Sequence, residues 1–139
     1  MSANGTDGAD LLAIVDRIVA QAAPGEQVEA FASRGGDTDV RVYQGEVEHF
    51  VSAQAEGIGI RVIRDGRTGF AYAGTLDATA IGEVLAEARD NVQFGTVDEW
   101  AGLAEPDGVP QTDKTLWNDA LAAFPTDRKI ERAEERERL

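Results

Sequence analysis

The fold is decided by the stretch Gly57-Ile-Gly-Ile-Arg-Val-Ile-Arg-Asp-Gly-Arg-Thr-Gly-Phe-Ala-Tyr72. Apolar residues occupy every second position of its first half, which is the period of a β-strand. Asp65-Gly66 then supplies the positive φ angles that a two-residue hairpin turn needs. One face of the return strand carries only small residues, namely Gly69, Ala71 and Ala73. Small residues on a strand let another element approach closely, so the stretch predicts a β-hairpin packed against a helix.

The helix is predicted to follow directly, over residues 77–94. Asp77 is placed to be its N-cap, and Leu76 and Ile81 occupy the two positions of a hydrophobic staple. Its apolar residues recur with the period of a helix and form one stripe, made of Ile81, Val84, Leu85, Ala88 and Val92.

A second amphipathic helix and further strands are predicted N-terminal to this stretch. The helix covers residues 10–23 and ends at Pro24-Gly25. The strands are predicted at 27–34, 38–44 and 46–54. Turns are predicted to separate them, first at Gly35-Gly36-Asp37 and then at Gly45.

The pattern changes after Gly95. Residues 96–112 hold prolines, glycines and acidic residues, which is typical of a loop or linker. Asp113 is placed to cap a short helix that carries Leu116, Trp117, Ala120, Leu121 and Phe124. Pro125 ends that helix, and the chain from Asp127 onward has helical propensity with few apolar residues.

Together these patterns predict an α+β fold. We expect a mainly antiparallel sheet with the 10–23 and 77–94 helices packed on one face, plus a helical C-terminal extension. The expected division is an N-terminal domain at 1–95, an acidic linker at 96–112 and a helical extension at 113–139. Because the chain stops inside the last helix without a cap or a tail, we expect it to be cut from a longer protein.

Composition excludes several classes of function. The 139 residues carry a formal net charge of −13 and contain no cysteine. A negative field of this size repels a phosphate backbone, so nucleic acid is not an expected partner. No run of the sequence approaches 18 apolar residues, so a membrane is not an expected partner either. The N-terminus has no basic and apolar leader, which makes the cytoplasm the expected location.

No motif for catalysis stands out. His49 is the only histidine, and on a strand it points away from Glu46 and Glu48, so a zinc site is not predicted. No serine has a nucleophile-elbow context. The glycines at 57, 59, 66 and 69 are interpreted as turn and packing residues, since no phosphate-binding helix follows them. We therefore predict no catalytic, cofactor-binding or metal-binding residue on this chain.

Two tryptophans leave alternatives open. Trp100 lies in the predicted loop, and Trp117 lies in the predicted late helix. Each is interpreted either as a partial anchor for the core or as a contact to a part of the protein that lies outside this chain.

Several segments, taken in order, resemble the N-terminal domain of the TldD/PmbA family, the modulator-of-gyrase metallopeptidases. They are Gly45-Glu-Val-Glu48, Glu56-Gly-Ile-Gly-Ile-Arg-Val-Ile63, Gly66-Arg-Thr-Gly-Phe70 with Leu76, Ala86-Glu-Ala-Arg89, Thr96-Val-Asp-Glu-Trp-Ala-Gly-Leu103 and the final helix from Lys129 to Leu139. The resemblance covers roughly residues 8–139 and rests on pattern rather than on catalytic residues. The loop from Asp98 to Ala104 looks slightly more like a PmbA-type subunit.

The resemblance implies a cytoplasmic bacterial or archaeal metallopeptidase subunit that is much longer than this chain. Such subunits form homodimers, or heterodimers of a TldD-type and a PmbA-type subunit, and they act on peptides. TldD-type subunits hold zinc with a His-Glu-x-x-x-His motif beyond this domain, and that motif is absent here. Zinc is therefore expected only downstream or in a partner subunit, and this region is expected to shape the substrate chamber and the dimer interface. The alternative is a stand-alone, non-enzymatic module that binds a protein or a peptide.

Overall fold

The computed structural model describes residues 8–110, 112, 114 and 118–139. Its elements are α1 (Gly8–Val19), β1 (Gln27–Tyr43), β2 (Glu46–Arg64), β3 (Arg67–Ala73), α2 (Ala78–Asn91), a 3-10 helix (Val92–Phe94), α3 (Asp119–Ala122) and α4 (Thr126–Glu137). The strands form one antiparallel sheet in the order β1-β2-β3. The α+β prediction is confirmed. No helix in the described part of the chain is long and apolar enough to span a membrane.

Contacts divide the chain into two compact units. Unit 1 consists of Met1–Arg34 and Glu56–Pro106, and unit 2 consists of Gly35–Ala55 and Asp107–Leu139. β1 and β2 each contribute residues to both units. The domain boundaries predicted from the sequence are not tested by this division and stay a prediction.

The hairpin between β2 and β3 forms as the sequence predicts. Its turn residues Asp65 and Gly66 have φ angles of 52° and 70°, and its ladder pairs Arg64 with Arg67 through to Ile58 with Ala73. Both turn residues are in the left-handed region, which is the geometry of the two-residue turn that suits strand twist.

The core of unit 1 combines residues of all three strands with residues of α1, α2 and the 3-10 helix. Its buried members are Ile18, Val28, Ile58, Ile60, Val62, Ala71, Val84, Leu85, Ala88 and Val92. The strand members lie at alternate positions and therefore share one face of the sheet. This face is called the inner face below, and the opposite one is called the outer face.

The predicted cap and close packing of α2 are both present. The Asp77 carboxylate accepts hydrogen bonds from the amides of Thr79 and Ala80 at 2.9 and 3.3 Å. Gly69 is buried on the inner face, and a Cβ on it would lie 2.1 Å from the carbonyl oxygen of Ala88. The absence of a side chain at Gly69 is what lets the backbone of α2 approach β3 this closely.

The turn predicted at Gly35-Gly36-Asp37 is wrong, and the strand predicted at 46–54 does not end there but continues into the stretch that begins at Gly57. β1 and β2 run continuously through these positions. Neither Gly35 nor Gly36 has a positive φ angle, so both keep an extended backbone. Pairing between two long strands outweighs the local turn preference of the glycines, because strand propensity depends strongly on context.

α1 ends earlier than the sequence suggests, at Val19 rather than at Ala23. The Ala20 amide still bonds to the Asp16 carbonyl, but the amides of Gln21 and Ala22 bond to carbonyls only three residues back. This tightened turn leads into Pro24, which disfavours helical geometry in the residue before it.

Unit 2 contains the far half of the β1–β2 hairpin and the C-terminal helices. Lys129 Nζ donates to Thr38 Oγ1 at 3.1 Å, and the Gly45 amide donates to the Glu137 carboxylate at 2.7 Å. Asn118 caps α3 through the Leu121 amide. The predicted cap Asp113, together with Leu116 and Trp117, lies outside the described residues.

Candidate functional site

The residues that the sequence offers for chemistry do not converge. His49 is exposed on β2. Within the described residues, no three His, Asp or Glu side chains are placed to hold a metal ion. Ser52 Oγ lies 3.5 Å from Thr38 Oγ1, a contact between two hydroxyls on neighbouring strands. The prediction that this chain has no catalytic or metal-binding residue stays a prediction.

The glycines have the packing roles that the sequence indicates. Gly66 completes the hairpin turn with its positive φ angle. A Cβ on Gly57 would lie 2.9 Å from the Ala73 carbonyl oxygen, and one on Gly59 would lie 3.3 Å from the Phe70 ring. These glycines permit close contacts inside unit 1.

The sheet has two edges, and the one at β3 is closed. The Asn91 side chain donates to the Phe70 carbonyl oxygen at 2.9 Å. A Cβ on Gly95 would lie 2.7 Å from the Thr68 carbonyl oxygen, so the chain after α2 lies directly against this edge. Covering an edge in this way removes the free backbone groups that another strand would use.

The edge at β1 is open in unit 1. β2 lies on one side of β1, and β1 is the outermost strand on the other side. Within the described residues, no loop or side chain makes a hydrogen bond to the backbone of residues 27–34. An unpaired strand edge is a template for an extended peptide, which adds as a further strand through main-chain hydrogen bonds.

Glu26 fixes the chain at the point where β1 begins. Its side chain is 2% exposed and lies 3.0 Å from Arg89 of α2 and 3.5 Å from Arg64 of β2. Burial raises the pKa of the Glu26 carboxyl, but hydrogen bonds from the Ala23 amide and Arg89, with the two guanidinium charges, lower it below its ordinary value. The carboxylate therefore stays ionised at neutral pH and holds β1 to the rest of unit 1.

Residues 95–103 form a strap beside the sheet. The Asp98 amide donates to the Gly66 carbonyl oxygen at 2.7 Å, and the Leu103 amide donates to Gln27 Oε1 at 3.0 Å. The strap thus runs from the β2–β3 turn to the first residue of β1. Trp100, within the strap, is 86% exposed, so it does not anchor this part of the core. Trp117 lies outside the described residues.

The open β1 edge is a feature that the sequence could not indicate. The strand signals in the sequence do not reveal the order of the strands in the sheet. The contacts that close β3 come from Asn91 and Gly95, which lie about 20 residues or more further along the chain. Glu26 was also missed, because a single carboxylate in an acidic chain carries no signal of burial.

Comparison with known proteins agrees with this fold. The family model described as PmbA/TldA metallopeptidase domain 1 matches residues 28–92. The structure resembles TldE from Thermococcus kodakarensis, with a TM-score of 0.74 and 21% identity over 88% of this chain and 28% of that one. It also resembles a proposed modulator of a DNA gyrase from Thermotoga maritima, with a TM-score of 0.61 and 17% identity over 92% of this chain and 27% of that one.

Among curated proteins, none matches this sequence significantly. This chain spans little more than a quarter of the length of either similar structure. The family match covers β1 from its second residue, β2, β3 and α2, which are the elements that build the core of unit 1. Residues 28–92 therefore match the first domain of the TldD/PmbA family, and the fold agrees with that match.

Proposed function

We propose that this chain is the N-terminal region of a TldD/PmbA-like metallopeptidase subunit that acts on peptides in the cytoplasm. It shapes the substrate chamber and the dimer interface and supplies no catalytic residue of its own. Zinc belongs to a downstream region or to a partner subunit. The partner is a second copy or a paralogous subunit of the same family. The match of residues 28–92 to the family's first domain supports this proposal.

We propose further that the β1 edge holds an unfolded peptide by strand addition. The supporting observation is the contrast between the two edges, since β3 is closed by Asn91 and Gly95 whereas β1 is open between residues 27 and 34. Main-chain hydrogen bonds supply affinity without much dependence on the peptide's sequence. Such binding suits a subunit that presents varied peptides to a catalytic centre elsewhere.

Two peptides that differ only in their backbone test this step. Both repeat Gly-Ser-Val-Thr, and one carries N-methyl groups on alternate residues while the other carries them on every residue. An added strand bonds through every second residue only, so the alternately methylated peptide is expected to bind through its free amides and the fully methylated peptide is expected not to bind. Equal binding of both peptides, or of neither, would contradict strand addition at this edge.

The subunit type is a separate proposal. We propose a PmbA-type, non-catalytic subunit, because the loop from Asp98 to Ala104 looks slightly more like that type. Reading the coding sequence beyond the Leu139 codon tests this directly. A downstream His-Glu-x-x-x-His would indicate a zinc-bearing TldD-type subunit instead, and an immediate stop codon would favour the stand-alone binding module.

A further inference from the structure

The outer face of the sheet in unit 1 carries exposed aromatic rings. Phe31 on β1 is 72% exposed, and Phe70 and Tyr72 on β3 are 54% and 76% exposed. All three alternate with residues of the inner face, so they share the side of the sheet opposite the core. We call Phe31, Phe70 and Tyr72 the aromatic platform. A cluster of exposed rings on one face of a domain commonly marks an interaction surface.

The Phe70 and Tyr72 rings on β3 are held in place by contacts with Gly59 on β2 and with each other. Gly59 lies under Phe70, where a Cβ would be 3.3 Å from two ring carbons. The rings of Phe70 and Tyr72 stack with centroids 6.2 Å apart and planes inclined by 27°. Asn91 also fixes the backbone of Phe70 through its carbonyl oxygen. Rigid rings lose little freedom on binding, which favours their use as a recognition surface.

Phe31 lies across β2 from the other two rings. The Glu29–Arg61 contact at 2.7 Å and the Arg34–Glu56 contact at 3.0 Å bracket it along the strands. These contacts place Phe31 at the level of Gly59, two strand spacings or about 10 Å from β3. At the other end of this face Ile63 is 5% exposed, beside the strap that joins Gly66 to Gln27. The strap therefore bounds the platform on one side.

Charge decides what kind of partner fits. The chain carries a net charge of −13, and the arginine nearest the platform, Arg61, is neutralised by Glu29. Rings on a sheet face can stack on the bases of single-stranded nucleic acid, but the phosphates would be repelled here. At this face, an anionic membrane and a second copy of this acidic chain are disfavoured for the same reason. A cationic segment is attracted instead, and guanidinium and ammonium groups bind the faces of aromatic rings.

We propose that the aromatic platform binds an extended peptide segment that carries arginine or lysine side chains between apolar ones. The cations lie over the rings of Phe31, Phe70 and Tyr72, and the chain's net charge of −13 raises the local concentration of such segments. This inference goes beyond the proposed function, because it uses side chains of the outer face rather than the backbone of the β1 edge. It holds even if the chain has no role in a peptidase.

Binding of two matched peptides to the full chain tests the proposal. One peptide repeats Gly-Arg-Phe-Ser, and the other replaces each arginine with citrulline, which has nearly the same shape and no charge. Calorimetry is expected to show that the arginine peptide binds at least about tenfold more tightly, through its cation–π contacts and charge attraction. Amide chemical shifts are expected to change at residues 31, 59, 70 and 72, and added salt is expected to weaken binding.

Single-residue variants distinguish binding at the aromatic platform from non-specific attraction of the cationic peptide to the acidic chain. Tyr72→Ser and Phe31→Ser are each expected to weaken binding of the arginine peptide by about two- to fivefold, since each removes one ring. The matched control is Phe94→Ser, which removes a 79% exposed ring outside the sheet and is expected to change nothing. Equal binding of the citrulline peptide, equal loss in the control, or preferential binding of single-stranded DNA or anionic vesicles would overturn the proposal. So would self-association that Tyr72→Ser abolishes.

Discussion

Replacing Gly69 with alanine tests the close packing of α2 against β3. The added Cβ would lie 2.1 Å from the Ala88 carbonyl oxygen, 2.5 Å from the Val92 nitrogen and 2.9 Å from the Asn91 carbonyl carbon. All three atoms belong to the backbone, so no rotation of a side chain can relieve the contact. An ordinary contact begins at 3.4 Å, and α2 must therefore move away from β3 by about 1 Å.

The expected loss of stability follows from what that movement does. Val84, Leu85 and Ala88 are buried on the side of α2 that faces the core, and they would be pulled from their neighbours together. Overpacking of a core costs about 1–3 kcal/mol, and more when backbone has to move. We expect the free energy of unfolding to fall by about 3 kcal/mol, which lowers Tm by about 10 °C.

Urea and thermal unfolding followed by circular dichroism measure this loss. Gly74→Ala is the matched control, because Gly74 follows β3 directly, has no positive φ angle and has nothing within 4 Å of an added Cβ. We expect that control to change stability by no more than about 0.5 kcal/mol. If Gly69→Ala proved as stable as Gly74→Ala, the packing of α2 on β3 described above would be refuted.

Other parts of unit 1 give three further predictions. Asp77→Ala removes the N-cap of α2 and should lower the free energy of unfolding, measured in urea, by about 1 kcal/mol. Asp77→Asn keeps a side-chain oxygen at the cap and should lose much less stability. Equal losses in the two variants would argue against a capping role. Glu26→Gln should cost about 1–3 kcal/mol at neutral pH. Because the pKa of Glu26 is lowered in the folded protein, its contribution is present above about pH 4.3 and is lost as the pH falls further, so the stability gap between wild type and variant should narrow in acid. A gap that stays constant with pH would contradict this. Asn91→Ala frees the Phe70 carbonyl oxygen, and sedimentation velocity should then show more association than in the wild type, increasing with concentration; association equal to that of the wild type would contradict closure of this edge.

Local signals in the sequence were sufficient for α2 and for the β2–β3 hairpin. Asp65-Gly66 can adopt the positive φ angles of the turn almost without strain, and Asp77 has the carboxylate that a helix start needs. The small residues of β3 indicated a close neighbour before any neighbour was known. In each case the residues that determine the local structure lie within or next to the element that they shape. A single sequence is therefore sufficient to predict these elements.

Where the structure depends on pairing between residues far apart in the chain, the sequence pattern gave a wrong prediction or none. Gly35-Gly36-Asp37 is a strong turn signal by itself, yet the pairing of β1 with β2 keeps it extended. Closure of the β3 edge needs Asn91 and Gly95, which lie on elements that no strand pattern connects to Phe70 or Thr68. The open β1 edge and the aromatic platform follow from strand order and from side-chain direction, and neither can be read from local periodicity.

Amide hydrogen exchange on the full chain, with and without the repeated Gly-Ser-Val-Thr peptide, tests whether β1 is the edge through which this domain accepts a peptide. Slower exchange at alternate residues between 27 and 34, with exchange in β3 unchanged, is the predicted result. Protection that appears at β3, or no change at β1 when the peptide is saturating, would contradict the account.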